Sequence, residues 1–474
     1  MTRARVAVRQ LVPAKNQSDV FSGPRSIGIV LVVFIATLTV RVWGVSTHFF
    51  LLGDQIRDWS IVLGPFRKLP LVGPATHVGG YTIGPTFYWI MWLIRVTVGP
   101  WFQNLPHAGG IGQAILQSGA DALLLVAVWH RTRSIWIALT TVALLVTASF
   151  DLSLSAVIWN PVIGSTLAKT ATALVLLDWP QQSRARVAVT AAVAWGAVHA
   201  YTGTIFVASS IFAALLVEPW SRGDRDAAWR NARLIVAVVV VLQLPYVLHQ
   251  LSNRFADSAM GAVTGSIGRI ILGTDRPQFV RSATGYAGAF TFIEASPWRG
   301  SLFSWLLAAC AVIVAIRHRR DPVLLTAIVL PQMAAIVGYG FWLGNLDSYY
   351  YLSLMPAAVL TILLGVSAFM SPRVVRIAGM AFLIATLAIL PARLRFAATM
   401  NRMPQYGVLV AASRNIVRLK RPLRRIECEF PLPPTADADF VYQILGGRID
   451  HESSWIAIVS SNGGVTYRNV ATHR

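Results

Sequence analysis

Asp54 and Asp58 stand four residues apart in Gly53-Asp54-Gln55-Ile56-Arg57-Asp58-Trp59, with Arg57 between them. On a helix that spacing puts both carboxylates on one face. The chain has only 20 acidic residues against 41 basic ones, so an acid pair just past a hydrophobic segment needs explaining. The neighbouring Ile56, Trp59, Ile61 and Val62 would hold the carboxylates close to an apolar surface. Partial desolvation there raises a carboxylate pKa toward neutrality and suits it to general-base chemistry. The plainer alternative is a helix N-cap with an exposed pair.

Other polar residues compete for chemistry. Arg57 can neutralise a phosphate or simply pair with Asp54 or Asp58. Loop 252–300 holds Arg254, Arg269, Arg276, Arg281 and Arg299 against Asp257, Asp275 and Glu294. That basic excess suits either a lid over a phosphate or contact with anionic headgroups. Arg95 and Asp121 fall inside hydrophobic runs and are expected to pair, whereas Lys169 has no obvious mate. His77 lies among glycines and prolines and can orient an acceptor, although a lone histidine is more often a satisfied loop residue. His199 reads as a polar helix-packing residue. The aromatic runs Phe87–Trp92 and Tyr349–Tyr351 read first as packing and interface anchors. Cys310 and Cys428 form neither a disulfide framework nor a metal site. No metal site is expected from sequence-clustered His or Cys, and weak binding of a divalent cation by Asp54 with Asp58 is the one option left open.

The elements that must position these groups are membrane helices. The composition is 55% hydrophobic with a mean hydropathy of +0.58, too apolar for an ordinary soluble protein. The net charge of +21 would suit a nucleic-acid binder, but the arginines cluster between hydrophobic runs. Membrane orientation and anionic lipid account for them better. An all-α polytopic protein of about 11 transmembrane helices (range about 11–13) follows. Residues 1–25 form a basic cytoplasmic leader, 26–391 the membrane domain, and 392–474 a small extracytoplasmic α/β domain. External loops are expected at 46–80 and 252–300. Asp54–Leu69 reads as an interfacial helix. Tyr81–Val98 is counted as a crossing, and Val187–Glu218 as one tilted span of about 48 Å in preference to a hairpin turning near His199–Gly203. This parity puts the basic loops 219–233, 317–321 and 371–376 in the cytoplasm and forces 130–133 and 184–186 outside, against their charge. In the tail, Phe440–Leu445 and Trp455–Val459 read as strands and Asn462-Gly463-Gly464 as a turn.

Gly53-Asp54-Gln55-x-Arg57-Asp58 after the first span is followed by Leu71-Val72-Gly73-Pro74, Gly79-Gly80-Tyr81 and Gly84-Pro85-Thr86-Phe87-Tyr88-Trp89. This pattern, over about residues 26–90, resembles the GT-C glycosyltransferases, among them protein O-mannosyltransferases and aminoarabinose transferases of lipid A. Later echoes are Trp159-Asn160-Pro161, His199 and Asp347-Ser348-Tyr349-Tyr350-Tyr351. The resemblance implies an inverting transfer from a polyprenyl-phosphate sugar to a hydroxyl of a lipid, glycan or protein, on the outer face of the plasma membrane. It implies Asp54 as the base. The family's common second acid is replaced here by Gln55, which leaves Asp58 as the candidate for part of that role. Arg57, Arg254 and Arg269 are then expected at the donor phosphate, and His77, Tyr81, Tyr88 and Tyr349 around the substrates. An O-antigen polymerase or ligase would place its key arginines late and lack the acidic motif. A lipid or solute transporter would show inverted repeats and broken mid-membrane helices, and no repeat is evident.

Overall fold

The computed structural model describes residues 24–470 apart from 44, 46–48, 50, 52, 77–78, 156, 292–296, 401–403, 421 and 433–436. Most of the basic leader, His77 and Glu294 lie outside the described residues. The rest is a bundle of helices with a small sheet near the C-terminus. Long apolar runs form α1 (Pro24–Val42), α4 (Leu105–Thr132), α5 (Ile135–Val146), α7 (Asn160–Leu176), α8 (Arg184–Ala200), α9 (Ile205–Ser221) and α10 (Arg225–Ser252). After loop 252–300 come α13 (Pro297–Arg317), then α14 (Pro322–Leu324) running through a π-turn into α15 (Leu330–Gly340), then α16 (Met355–Ser367) and α17 (Pro372–Met400). Among the described residues, six helical segments are long and apolar enough to cross a membrane. Shorter helices sit between them: α2 (Gly53–Val62), α3 (Thr86–Thr97), α6 (Ser149–Leu154), α11 (Ala259–Ile271) and α12 (Phe279–Thr291).

Two segments differ from the sequence expectation. The stretch 187–218 is not one span: Tyr201 is extended (φ −152°, ψ 112°), and α8 and α9 fold back on each other around it. Trp195 stacks on Phe212 at 6.2 Å, and Arg222, just past α9, donates to Gln181 ahead of α8. Tyr81–Val98 is not a crossing either. Residues 73–85 form a loop, and α3 has only 12 residues, about 18 Å. Its Thr86 end touches His199 of α8 and its Ile94 packs on Gly112 in the early turns of α4, so it stays at one end of the bundle. The two differences bring the misfit basic loops back into line. Arg131 at the end of α4 bonds Asp178 (2.7 Å) and Asp321, so loops 130–133, 178–183, 222–224 and 318–321 share one end.

The bundle is held by buried charge as well as apolar packing. Arg41 of α1 contacts Asp121 of α4 and Asp151 of α6, each at 2.6 Å, and Lys169 of α7 contacts Asp121 at 2.5 Å. Thus Asp121 belongs to Arg41 and Lys169. The expected Arg95–Asp121 pair does not form, because Arg95 turns instead to the carbonyls that end α2.

The C-terminal unit consists of α18 (Pro404–Arg418), β1 (Arg425–Cys428), α19 (Ala438–Ile444), β2 (Trp455–Val459) and β3 (Val465–Asn469). β1 pairs parallel with β2, which pairs antiparallel with β3 across the Asn462–Gly464 turn. Phe440–Leu445 is mainly helix, not strand, because Asp437 caps the backbone N–H of Asp439 and starts α19. Tyr406, Leu409 and Tyr442 share a core with Phe49, Leu51 and Trp59. The tail therefore buttresses the segment that carries the acid pair.

Candidate active site

Helix α2 buries Gln55, Asp58, Trp59 and Val62, the i, i+3, i+4, i+7 pattern of one helical face. Asp54 occupies the first turn, where the helix dipole favours a carboxylate. The four-residue spacing does not give the two acids equal surroundings. The Asp54 side chain is 44% exposed, the Asp58 side chain 2%. Arg57 spans them, with Nη1 donating to Asp54 Oδ1 at 3.0 Å and Nε to Asp58 Oδ1 at 2.8 Å. Tyr88 of α3 donates its hydroxyl to the same Asp58 oxygen at 3.1 Å. Burial pushes the Asp58 pKa up to about 6, against the opposing pull of Arg57 and Tyr88.

Two contacts fix α3 against α2. Tyr88 holds one end, and Arg95 holds the other by donating to the carbonyls of Val62 and Gly64 (2.8 Å to Gly64), which are otherwise orphaned at the helix terminus. The Gly/Pro loop between α2 and α3 is shaped by close approach. A Cβ on Gly84 would lie 2.2 Å from the His199 ring, so only glycine fits. Thr86 Oγ1 and Gln243 Oε1 flank His199 at 3.4 and 3.2 Å, and Gln243 donates to the Ile83 carbonyl at 3.0 Å. His199 is thus a packing residue that ties the loop to α8 and α10. Gly79 and Gly80 (φ 87° and 69°) make the turn that presents Tyr81.

The expected site residues separate into groups. Tyr81 is exposed, and its N–H donates to the Asp257 carboxylate at 3.3 Å, docking loop 73–85 on loop 252–300. Arg254 is three residues before Asp257 in the same turn, is exposed, and has no ion pair among the described residues. Arg269 pairs with Asp275 at 3.2 Å. Tyr88 is buried, with its hydroxyl on Asp58. Tyr349 stacks on Tyr350 (4.8 Å) and packs against Trp159 (4.9 Å), with Tyr201 alongside. Two of the three late sequence echoes, those at Trp159 and at Tyr349–Tyr351, therefore meet in one aromatic cluster. Ile158, which precedes Trp159, and Trp59, which follows Asp58, both pack on Gly109, so this cluster neighbours the acid pair. Asp257 and Gln243 were not singled out from sequence as site-shaping residues; each makes its contact more than 150 residues away. Among the described residues there is no group of three or more metal-ligating side chains, and Arg57 already fills the space between the two carboxylates. We assign no cation site.

No protein-family model and no curated protein sequence matches the chain significantly. The fold is shared with two solved proteins. ArnT from Cupriavidus metallidurans, in a crystal structure bound to undecaprenyl phosphate, aligns at 14% identity over 88% of this chain and 85% of its own, with a TM-score of 0.52. Its apo structure aligns over 92% and 93% with a TM-score of 0.51. The Archaeoglobus fulgidus oligosaccharyltransferase, crystallised with Zn and sulfate, gives 14% identity and a TM-score of 0.52 over 89% of this chain. The present chain spans 62% of that longer protein. With its long apolar helices, this chain is a multi-pass membrane protein of that fold.

Proposed function

We propose that the protein is a membrane glycosyltransferase that moves a sugar from a polyprenyl-phosphate donor to an acceptor hydroxyl. The observation that carries this is the asymmetric acid pair on α2: one carboxylate exposed, the other buried, both held by Arg57. Attack on an anomeric carbon requires removal of the acceptor proton, and Asp54 is the carboxylate within reach of solvent. Asp58 is a positioning residue, fixed by Tyr88, that aims Arg57. The leaving phosphate gathers negative charge and needs a cation. Arg57 retains a 36% exposed side chain for that purpose. Arg254 is the better partner of the two loop arginines, since Arg269 is already engaged with Asp275. Tyr81 and Tyr349 stay at the substrates' side of the site.

In this reading α1, α4, α5, α7, α8, α9, α10, α13, α14–α15, α16 and α17 cross the membrane, about 11 passes. The basic leader and the arginine-rich loops then share the cytoplasm, in keeping with the positive-inside rule. The acid pair, loop 252–300 and the C-terminal domain (392–474) lie outside the plasma membrane. Cells lacking the protein should accumulate one polyprenyl-phosphate sugar, detectable by mass spectrometry of extracted lipids. An unchanged lipid-linked sugar pool together with unchanged surface glycans would refute the assignment.

The pH dependence tests the role of Asp58. Above about pH 6 it is ionised and holds Arg57; below, it is protonated and the ion pair is lost. Transfer should therefore fall on an acid limb centred near pH 6. Because its folded-state pKa is raised, the same group binds a proton more tightly in the folded protein. Its contribution to stability is fully present below about pH 4 and declines as pH rises to about 6. Asp58→Asn should remove both dependences, leaving a low, flat rate. An unaltered acid limb in this variant would show that another group titrates.

A further inference from the structure

A further cavity lies at the other end of the molecule. Helix α4 runs from the Trp59 region to Arg131, 28 residues or about 42 Å. Where it ends, loops 130–133, 178–183, 221–222 and 320–323 border an open pocket of about 480 Å³. A second cavity of about 310 Å³ shares Gln181, Glu218, Arg222 and Val323 with it and adds Arg184 and Arg230. These volumes fall in the range that holds small molecules and headgroups.

Charge in the larger cavity is unevenly spent. Four arginines line it against three carboxylates. Asp178 and Asp321 are both bonded to Arg131, and Glu218 is bonded to Arg222. These pairs lock the walls. Arg133 and Arg320 are exposed on the lining, and among the described residues neither meets a carboxylate. Arg133 is further held in the left-handed region (φ 56°) where its N–H closes the last turn of α4 on Trp129. That conformation ordinarily favours glycine or asparagine, and it fixes where the guanidinium stem leaves the backbone. Trp179 and Trp220, stacked by Arg186 and Arg225 at 5.2 and 5.5 Å, flank these loops as tryptophans do at headgroup depth.

We propose that this cavity is an anion site for a phosphate group, held by Arg133 and Arg320. Two arginines that line one pocket without a carboxylate partner suit phosphate binding, and positive-inside bias alone would not require both to line the same pocket. The phosphate comes either from an anionic phospholipid headgroup or from free phosphate. The site is independent of the transferase chemistry at the opposite end.

The test uses the full-length protein in neutral detergent, with short-chain phosphatidylglycerol, short-chain phosphatidylcholine and inorganic phosphate as probes in calorimetric titrations. Arg133→Asn/Arg320→Gln is suitable because asparagine tolerates the left-handed backbone. It should weaken phosphatidylglycerol binding by about tenfold or more. Arg373→Ala/Arg376→Ala removes the same charge from the first turns of α17, which do not line the cavity, and should change binding less than about twofold. Inorganic phosphate competing with equal affinity identifies the free ion as the ligand; failure to compete identifies the headgroup. Equal losses from both double variants, no loss from either, or equal binding of phosphatidylcholine overturns the proposal.

Discussion

Asp54→Asn should lower transfer from the polyprenyl-phosphate sugar by about 10²–10⁴, the usual contribution of a positioned general base. The substitution keeps the shape of the side chain and one hydrogen-bond acceptor for Arg57, which donates to Asp54 at 3.0 Å. The fold should survive, because Asp54 is 44% exposed and its ion pair with Arg57 is worth little in water-accessible surroundings. The loss should therefore fall on turnover and not on donor affinity or thermal stability. Asp58→Asn makes the contrast informative. Replacing the buried anion that both Tyr88 and Arg57 donate to by a neutral amide should reduce activity and stability together. A single-turnover assay in reconstituted vesicles, paired with a melting curve, separates the two. Full transfer by Asp54→Asn would eliminate it as the base and, if Asp58→Asn were also fully active, would leave the glycosyltransferase reading without its chemistry.

The site was more legible in the sequence than its supports were. Asp54, Arg57 and Asp58 sit within one and a half helical turns, so their mutual reach follows from helix geometry alone. What spacing cannot supply is burial. Whether Asp54 or Asp58 faces inward depends on Tyr88, 30 residues away, and on the packing of Trp59 against Gly109. Membrane helices were legible from hydropathy, but hydropathy reports apolar length and not direction. The aromatic run before Arg95 reads as a span, although its loop and α3 stay at one end of the bundle. The break at Tyr201 carries no proline and only Gly203 nearby, so the run 187–218 looks continuous. The loop charges held the corrective signal. Arginines at 131, 133, 184 and 186 conflicted with the single-span choice, and the hairpin resolves that conflict. In the tail, β-favouring Phe440, Val441 and Tyr442 read as a strand, whereas in the fold the Asp437 cap and packing against β1 prevail.

Replacing Asp121 by alanine should be the most damaging change to stability, at about 3–5 kcal/mol, because it strands buried cations. Arg41 and Lys169 both lean on this carboxylate, at 2.6 and 2.5 Å, and Asp121 is fully buried. Arg41 retains Asp151, but Lys169 has no second acid among the described salt bridges. The cluster is neutral as built, two cations against two anions, and neutrality makes it tolerable inside an apolar bundle. It also has a positional consequence. It joins α1, α4, α6 and α7 just where α1 delivers the chain to the segment carrying Asp54, and Ser155 adds a bond to the Arg41 carbonyl at 3.4 Å. Loss of Asp121 should therefore loosen the support of the segment carrying Asp54 as well as lower the melting temperature in detergent. Restoring charge balance is the decisive comparison. Asp121→Asn with Lys169→Met leaves Arg41 paired with Asp151 and removes the stranded ammonium, so the double variant should recover much of the stability lost by Asp121→Asn alone. Arg425→Ala breaks an exposed pair with Glu427 and should cost less than about 1 kcal/mol. If Asp121→Ala melted no lower than Arg425→Ala, the buried cluster would not be what holds α1 in place.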